Sequence, residues 1–268
     1  MTDYSTLRVA RDPKGVATVM LLAHDPKRRA GAKGAHSELG EVLNELRFDN
    51  GVRVVVIGSD DKDFYCPPPG RPRMANRDPH EDWDLTQGMH RAYQQVIEME
   101  KPVIARVHGN AAGFGASFIF ACDFIVIAED AVLGDSHLGM GEGEHFPLGR
   151  PDSGTAPGDG GNVFVPFYLP PPVAREYLWL AKQFTGADLA RMGCINRCVP
   201  AAKLDEAVGE LADRLLRRPA YALALSKRAF NRFLAERFNL CYDLAWSYEA
   251  LNFYQYGRYK DGRGDKTL

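Results

Sequence analysis

Short apolar runs alternate with amphipathic stretches along the first half of the chain. Residues 15–22, GVATVMLL, are β-branched and apolar, which predicts a strand. His36 to Phe48 (HSELGEVLNELRF) sets Leu39, Val42, Leu43 and Leu46 at helical spacing with acids opposite, which predicts a helix. Val52 to Ser59 (VRVVVIGS) is a nearly continuous β-branched run, the pattern of a strand covered on both faces. A second helix is expected over Leu85 to Met99. Buried strands are expected over Val103 to Val107 (VIARV) and Phe124 to Asp130 (FIVIAED). Between those strands, HGNAAGFGASFIFACD is a glycine-rich turn entering an apolar helix.

Two stretches break the alternation. Cys66 to Pro79 (CPPPGRPRMANRDP) is too rich in proline for regular structure. Gly134 to Pro172 is a second long irregular segment, interrupted by NVFVPFYL. Loops of this length inside a compact domain are more often functional than decorative. After Pro200 the pattern turns helical, over Lys203 to Arg217, Ala220 to Glu236, and Asn239 to about Tyr256, the last studded with aromatics. Strand–helix units followed by helices predict an α/β core over residues 1–200 and a C-terminal helical subdomain over residues 201–268.

Composition narrows the function classes. With 268 residues and 45 % hydrophobic content the chain can bury a full-sized core, and a net charge of −2 exerts no general pull on nucleic acid or anionic lipid. No window approaches a membrane span, and the start of the chain lacks a signal-peptide pattern. Five scattered cysteines are read as free thiols, which points to the cytoplasm and away from a metal site.

Three places carry candidate chemistry. At the glycine turn, a strand runs into a helix start whose unpaired N–H groups can hold an anion or a developing oxyanion; close helix–sheet packing explains the same glycines. In EHFPLGRPDSGTAPGDGG, His145 and Asp159 read either as a proton-transfer pair or as a solvated histidine and a turn former. Glu249 stands on its helix among Trp246, Tyr248, Leu251 and Phe253, where an apolar surround would raise its pKa; exposure is the ordinary fate of a glutamate. His137 in GDSHLGMGEG is a second candidate histidine and otherwise caps a turn. His108 is read as packing at a strand end, and Arg71 and Arg73 as either anion contacts or solvated side chains.

The stretch VIARVHGNAAGFGASFIFACDFIVIAEDAVLG resembles the oxyanion-loop signature of the enoyl-CoA hydratase/isomerase (crotonase) superfamily, and the resemblance extends over nearly the whole chain. It implies a ββα-spiral core, C-terminal helices that build trimers or hexamers, and oxyanion donors at Gly113 and Phe114. The family's second donor falls at about Pro68, and proline has no N–H. Ser117 stands where hydratases carry one glutamate, and the other aligns near His137 or His145, so the usual pair of carboxylates is missing. HFPLG…GTAPGDGG and the segment around Glu249 are instead similar to β-diketone hydrolases of the 6-oxocamphor hydrolase type. That similarity implies catalytic roles for His145, Asp159 and Glu249, with His137 close to the substrate.

The expectation is therefore a hydrolase that cleaves a carbon–carbon bond of an apolar β-dicarbonyl compound, a retro-Claisen reaction needing no metal and no dissociable cofactor. The aromatic supply (Phe64, Tyr65, Trp83, Phe146, Phe164, Phe167, Trp246) suits a bulky ring. Two alternatives stay open. One is an acyl-CoA hydratase, isomerase or lyase of the same fold, and the other is a scaffold of that fold without catalysis.

Overall fold

The computed structural model describes residues 3–23, 34–65, 79–135, 137–138 and 155–260. Its frame is a six-stranded sheet in the order β1-β2-β3-β4-β6-β9. These strands are β1 (Leu7–Arg11), β2 (Val16–Leu21), β3 (Val54–Ser59), β4 (Val103–Val107), β6 (Phe124–Ala128) and β9 (Arg197–Val199). β1 and β2 pair antiparallel, and every later pair is parallel. A second, three-stranded sheet joins β5 (Ala111–Ala112), β7 (Val132–Gly134) and β8 (Phe184–Thr185).

The two-residue period of the strands divides the core. In β3, Val55 and Ile57 enter the larger cluster, while Val54 and Val56 face the opposite way. The larger cluster packs under α1 (Ala35–Phe48) and α2 (Pro79–Glu98) and takes in α3 (Phe114–Ala121), all of whose residues are buried. The smaller cluster is roofed by α7 (Leu204–Leu216) through Leu204, Val208, Leu211 and Leu215. A continuous β-branched run is thus a strand with a core on each side, as expected.

Two elements had no assignment from sequence, the strand at residues 7–11 and the helix in NVFVPFYL, and two boundaries need correction. β1 was not foreseen, because only Leu7 of its five residues is buried. α2 begins at Pro79, ahead of the expected Leu85. NVFVPFYL, which interrupts the long irregular segment, is helical and forms most of α4 (Gly161–Tyr168). The C-terminal helices break at Asn231, between α8 (Ala220–Phe230) and α9 (Arg232–Lys260), and not between Glu236 and Asn239. The buried Asn231 amide donates to the Ile97 carbonyl at 3.0 Å, tying that break to the end of α2.

α9 packs on α2 and α4. Its inward face runs through Leu234, Phe238, Tyr242, Ala245 and Glu249, at three- and four-residue steps. A glutamate thus occupies a core position on an otherwise apolar stripe. Among the described residues, no helix is long and apolar enough to cross a membrane, and Cys122, Cys194, Cys198 and Cys241 are free thiols.

Candidate active site

Three segments far apart in sequence converge beside the start of α3. The first is the residue pair beyond β7. Asp135 Oδ1 accepts the His137 backbone N–H at 3.0 Å and lies 2.8 Å from His137 Nδ1, so a short aspartate turn fixes the ring. The second is the loop before α4, where Asp159 Oδ2 stands 3.3 Å from His137 Nε2. The third is α9, where Glu249 Oε1 stands 3.5 Å from the same nitrogen. Asp135, Asp159 and Glu249 are 1 %, 6 % and 4 % exposed, so three carboxylates and one imidazole share a site nearly closed to water.

Glycine makes this convergence sterically possible. Gly158 donates its N–H to Glu249 Oε2 at 3.0 Å, and a Cβ at this residue would fall 2.4 Å from the Ala245 carbonyl. The loop therefore lies flat on α9, assisted by the Ala156 N–H donated to Asn252. At its other end the Thr155 N–H is donated to the His137 carbonyl at 2.6 Å. Gly113, the N-cap of α3, adopts φ +55°, and a Cβ there would come 3.2 Å from Asp159 Oδ2 and 3.5 Å from the His137 ring. The ionisable cluster thus abuts the helix start whose free N–H groups, Phe114 among them, can receive an oxyanion.

The electrostatics follow from burial and mutual charge. Burial favours the neutral His137 ring, but the charges of Asp135, Asp159 and Glu249, with the Asp135 hydrogen bond, outweigh it and hold the imidazole pKa well above its ordinary value. Burial pushes the Glu249 carboxyl up to about 8; the neighbouring Asp159 and Asp135 add to this, while His137 and the Gly158 N–H oppose it. Tyr93, Tyr177 and Tyr242 surround the cluster, their hydroxyl pKa values raised first by burial and then by these carboxylates. Tyr93 donates to the Asp159 carbonyl at 2.5 Å. Among the described residues, Asp159 Oδ1 and the Tyr177 and Tyr242 hydroxyls make no hydrogen bond, so the site keeps unused polar capacity.

Asp135, His137 and Asp159 also offer ligand atoms within 4.8 Å of one another, close enough for a loosely held cation. Each ring nitrogen of His137 already faces a carboxylate oxygen, however, and that is the arrangement of a proton-handling cluster.

Of the residues singled out from sequence, the structure brings Asp159, Glu249, Gly113 and His137 together. His145 lies outside the described residues, as do Phe146, Arg71, Arg73 and the proline run at Pro67–Pro69. The histidine that Asp159 meets here is His137. Glu249 is buried and not an exposed helical acid. His108 does pack at a strand end, its Nε2 lying 2.7 Å from the Asp61 carbonyl. Of the aromatics, Phe64 is core, Trp83 is 62 % exposed, and Phe164 stacks beside Tyr93 at 4.6 Å between ring centroids. Asp135 was missed altogether; its only sequence signal is an acid two residues before a histidine at the end of a strand. His36 was missed too. It is a buried histidine whose Nε2 lies 3.2 Å from the Tyr65 hydroxyl and whose ring meets Phe114 edge-on at 4.4 Å.

Comparison with known proteins agrees with this geometry at the level of family and fold. The model of the enoyl-CoA hydratase/isomerase family matches residues 12–258. Carnitinyl-CoA dehydratase of Escherichia coli strain K12 is 30 % identical over 207 residues, covering 77 % of this chain and 74 % of the relative. The solved enoyl-CoA hydratase of Mycobacterium avium subsp. paratuberculosis K-10 superposes with a TM-score of 0.77 at 22 % identity, covering 94 % of this chain and 95 % of that one. A β-diketone hydrolase of Anabaena sp. PCC 7120, solved with (S)-3-oxocyclohexyl acetic acid, superposes with a TM-score of 0.76 at 21 % identity, covering 93 % and 94 %. These likenesses show the expected crotonase fold.

Proposed function

The chain belongs to the enoyl-CoA hydratase/isomerase family, and from that premise we propose that it is a hydrolase cleaving a carbon–carbon bond of an apolar β-dicarbonyl compound. One observation carries this reading: an imidazole whose Nε2 faces both Asp159 and Glu249, beside the start of α3. Glu249, with its pKa near neutrality, is suited to take a proton from water. The hydroxide adds to one carbonyl carbon, and the oxyanion is met by N–H groups at Gly113 and Phe114. The adduct collapses, the carbon–carbon bond breaks, and its electron pair becomes an enolate stabilised by the second carbonyl. His137, held as the imidazolium, gives its Nε2 proton to the enolate carbon. Glu249 then returns the proton taken from water to Nε2, across 3.5 Å, and the site is reset. His145 is also proposed to take part in this chemistry.

A cyclic 1,3-diketone supplied as the only substrate tests the reading. The expected product is one keto acid per turnover, carrying one oxygen from labelled water, and an intact diketone speaks against it.

The carnitinyl-CoA dehydratase relatives favour a second reading, an acyl-CoA hydratase or dehydratase with rewired acid–base groups. Turnover of an acyl-CoA, with no keto acid from diketones, would decide for it. The buried ionisable cluster, left partly unsatisfied, argues against a scaffold without catalysis.

The functional form is proposed to be a homotrimer or hexamer acting in the cytoplasm. α8 buries only Lys227 and exposes Tyr221, Leu225 and Phe230, while α9 exposes Phe233, Leu240 and Leu251 on the side away from Glu249. A second copy is the occupant that would cover such a surface permanently. Light scattering should give a mass of three or six chains, and Leu240→Glu with Leu251→Glu should lower it.

A further inference from the structure

We propose that Asp135 is a positioning residue that fixes the Nδ1–H of His137, so that Nε2 is the nitrogen offered to substrate and the ring stays an imidazolium. The inference rests on the reading of the cluster as a proton-transfer site and adds the group that orients it. Asp135 Oδ1 makes two contacts with the same residue, accepting from the His137 backbone at 3.0 Å and facing Nδ1 at 2.8 Å, so the ring has one orientation relative to its own backbone. A carboxylate can only accept, and so can that of Asp159 on the far side of the ring; both nitrogens must then carry protons to be satisfied.

The second oxygen of Asp135 lies against the start of α4. A Cβ on Gly161 would fall 2.9 Å from Oδ2, so this oxygen stands against the first residue of α4, at the positive end of that helix. Asp135 is 1 % exposed and directly follows Gly134, the last residue of β7 in the small sheet. Among the described residues, the carboxylates that face the His137 ring nitrogens are Asp135 just beyond β7, Asp159 from the loop before α4 and Glu249 from α9. The hydroxyls of Tyr93 (α2), Tyr242 (α9) and Tyr177, from α5 (Pro171–Trp179), surround the carboxylates. Among the described residues, Asp135 is the carboxylate on the Nδ1 side, and Asp159 and Glu249 face Nε2. Its removal should therefore release Nδ1 and the ring's orientation, whereas loss of Asp159 or Glu249 would lower the ring's pKa with Nδ1 still held.

The test is nitrogen NMR of histidine-labelled full-length protein across pH, with Asp135→Asn, Asp135→Glu and, to identify the signal, His137→Ala. In the unsubstituted protein His137 should be doubly protonated at neutral pH. In Asp135→Asn its titration should move down by about one pH unit or more, with the alkaline limb of kcat/KM on a cyclic diketone following it, and Asp135→Glu should restore much of both. A neutral His137 ring at pH 7 in the unsubstituted protein, or an unchanged titration in a folded Asp135→Asn, would overturn the inference, and the first needs no variant at the site. If the NMR result is as expected but no diketone is turned over, the positioning role stands and the proposed reaction falls.

Discussion

Two buried glutamates show how differently this fold uses a carboxylate in its interior. Glu38, on the first turn of α1 and 5 % exposed, accepts from the backbone N–H and the hydroxyl of both Ser5 and Thr6, at 2.6 to 2.9 Å. Glu249, 4 % exposed, accepts one backbone N–H, from Gly158, and otherwise faces an imidazole at 3.5 Å. Glu38 has four donors within hydrogen-bond reach and no spare capacity, and it staples the N-terminal segment onto α1. Glu249 has the same burial with a quarter of the donors, so its charge is poorly compensated and its proton is available. Saturation marks the structural acid, and shortage marks the chemical one.

The sharpest break of that comparison is in activity. Glu249→Gln should lower kcat/KM for a cleavable β-diketone by about 10²–10⁴ with the melting temperature unchanged or raised, because a neutral amide suits the buried position. Glu38→Ala should do the reverse. Losing charge-assisted hydrogen bonds and leaving donors stranded costs about 3 kcal/mol, read as a fall of roughly 6–12 °C in Tm, with turnover intact below the transition. Equal effects of both variants on both readouts would erase the distinction.

Gly158→Ala should act on the contact between loop and helix. Its Cβ has no room beside the Ala245 carbonyl, so a loss of about 1–3 kcal/mol is expected, together with a drop in turnover as the Gly158 N–H leaves Glu249. Calorimetry with a parallel assay checks both.

The smallest effect is on stability against pH. Glu249 and His137 both have folded-state pKa values above their ordinary ones. A raised folded pKa contributes stability that is complete below the unfolded value and is lost as pH rises through the folded one. For Glu249 that window runs from the ordinary carboxyl range up to about 8, and for His137 from its ordinary value upward. Tm should therefore sag from mildly acid toward alkaline pH, and Glu249→Gln should flatten the part of the sag that ends near 8. An equally steep profile in the variant would contradict the shortage of donors around Glu249.

Most of the frame was legible because strand and helix periods are local. VRVVVIGS could only be a doubly covered strand, and HGNAAGFGASFIF could only be a glycine turn into a buried helix. The break at Asn231 was not legible, because it depends on a carbonyl of α2 more than a hundred residues away. Asp159 and Glu249 came from resemblance, and for Glu249 the periodicity agrees, since it continues the stripe of Leu234, Phe238, Tyr242 and Ala245. His137 ranked behind His145 because the likeness to β-diketone hydrolases fell on the HFPLG stretch, and sequence alone does not show that Asp159 and Glu249 reach His137. Asp135 was not singled out, and its place depends on His137 and on Gly161, which the fold brings to it from the start of α4.

The central claim is that His137, set among Asp135, Asp159 and Glu249, transfers the proton in carbon–carbon hydrolysis. Its most direct test is kcat/KM of the unsubstituted protein and of His137→Ala on one cyclic 1,3-diketone, scored as keto acid carrying one oxygen from labelled water. The account predicts labelled keto acid from the unsubstituted protein and a fall of about 10²–10⁴ in the folded variant. Equal rates in the two proteins, or acyl-CoA turnover with the diketone untouched, would contradict it.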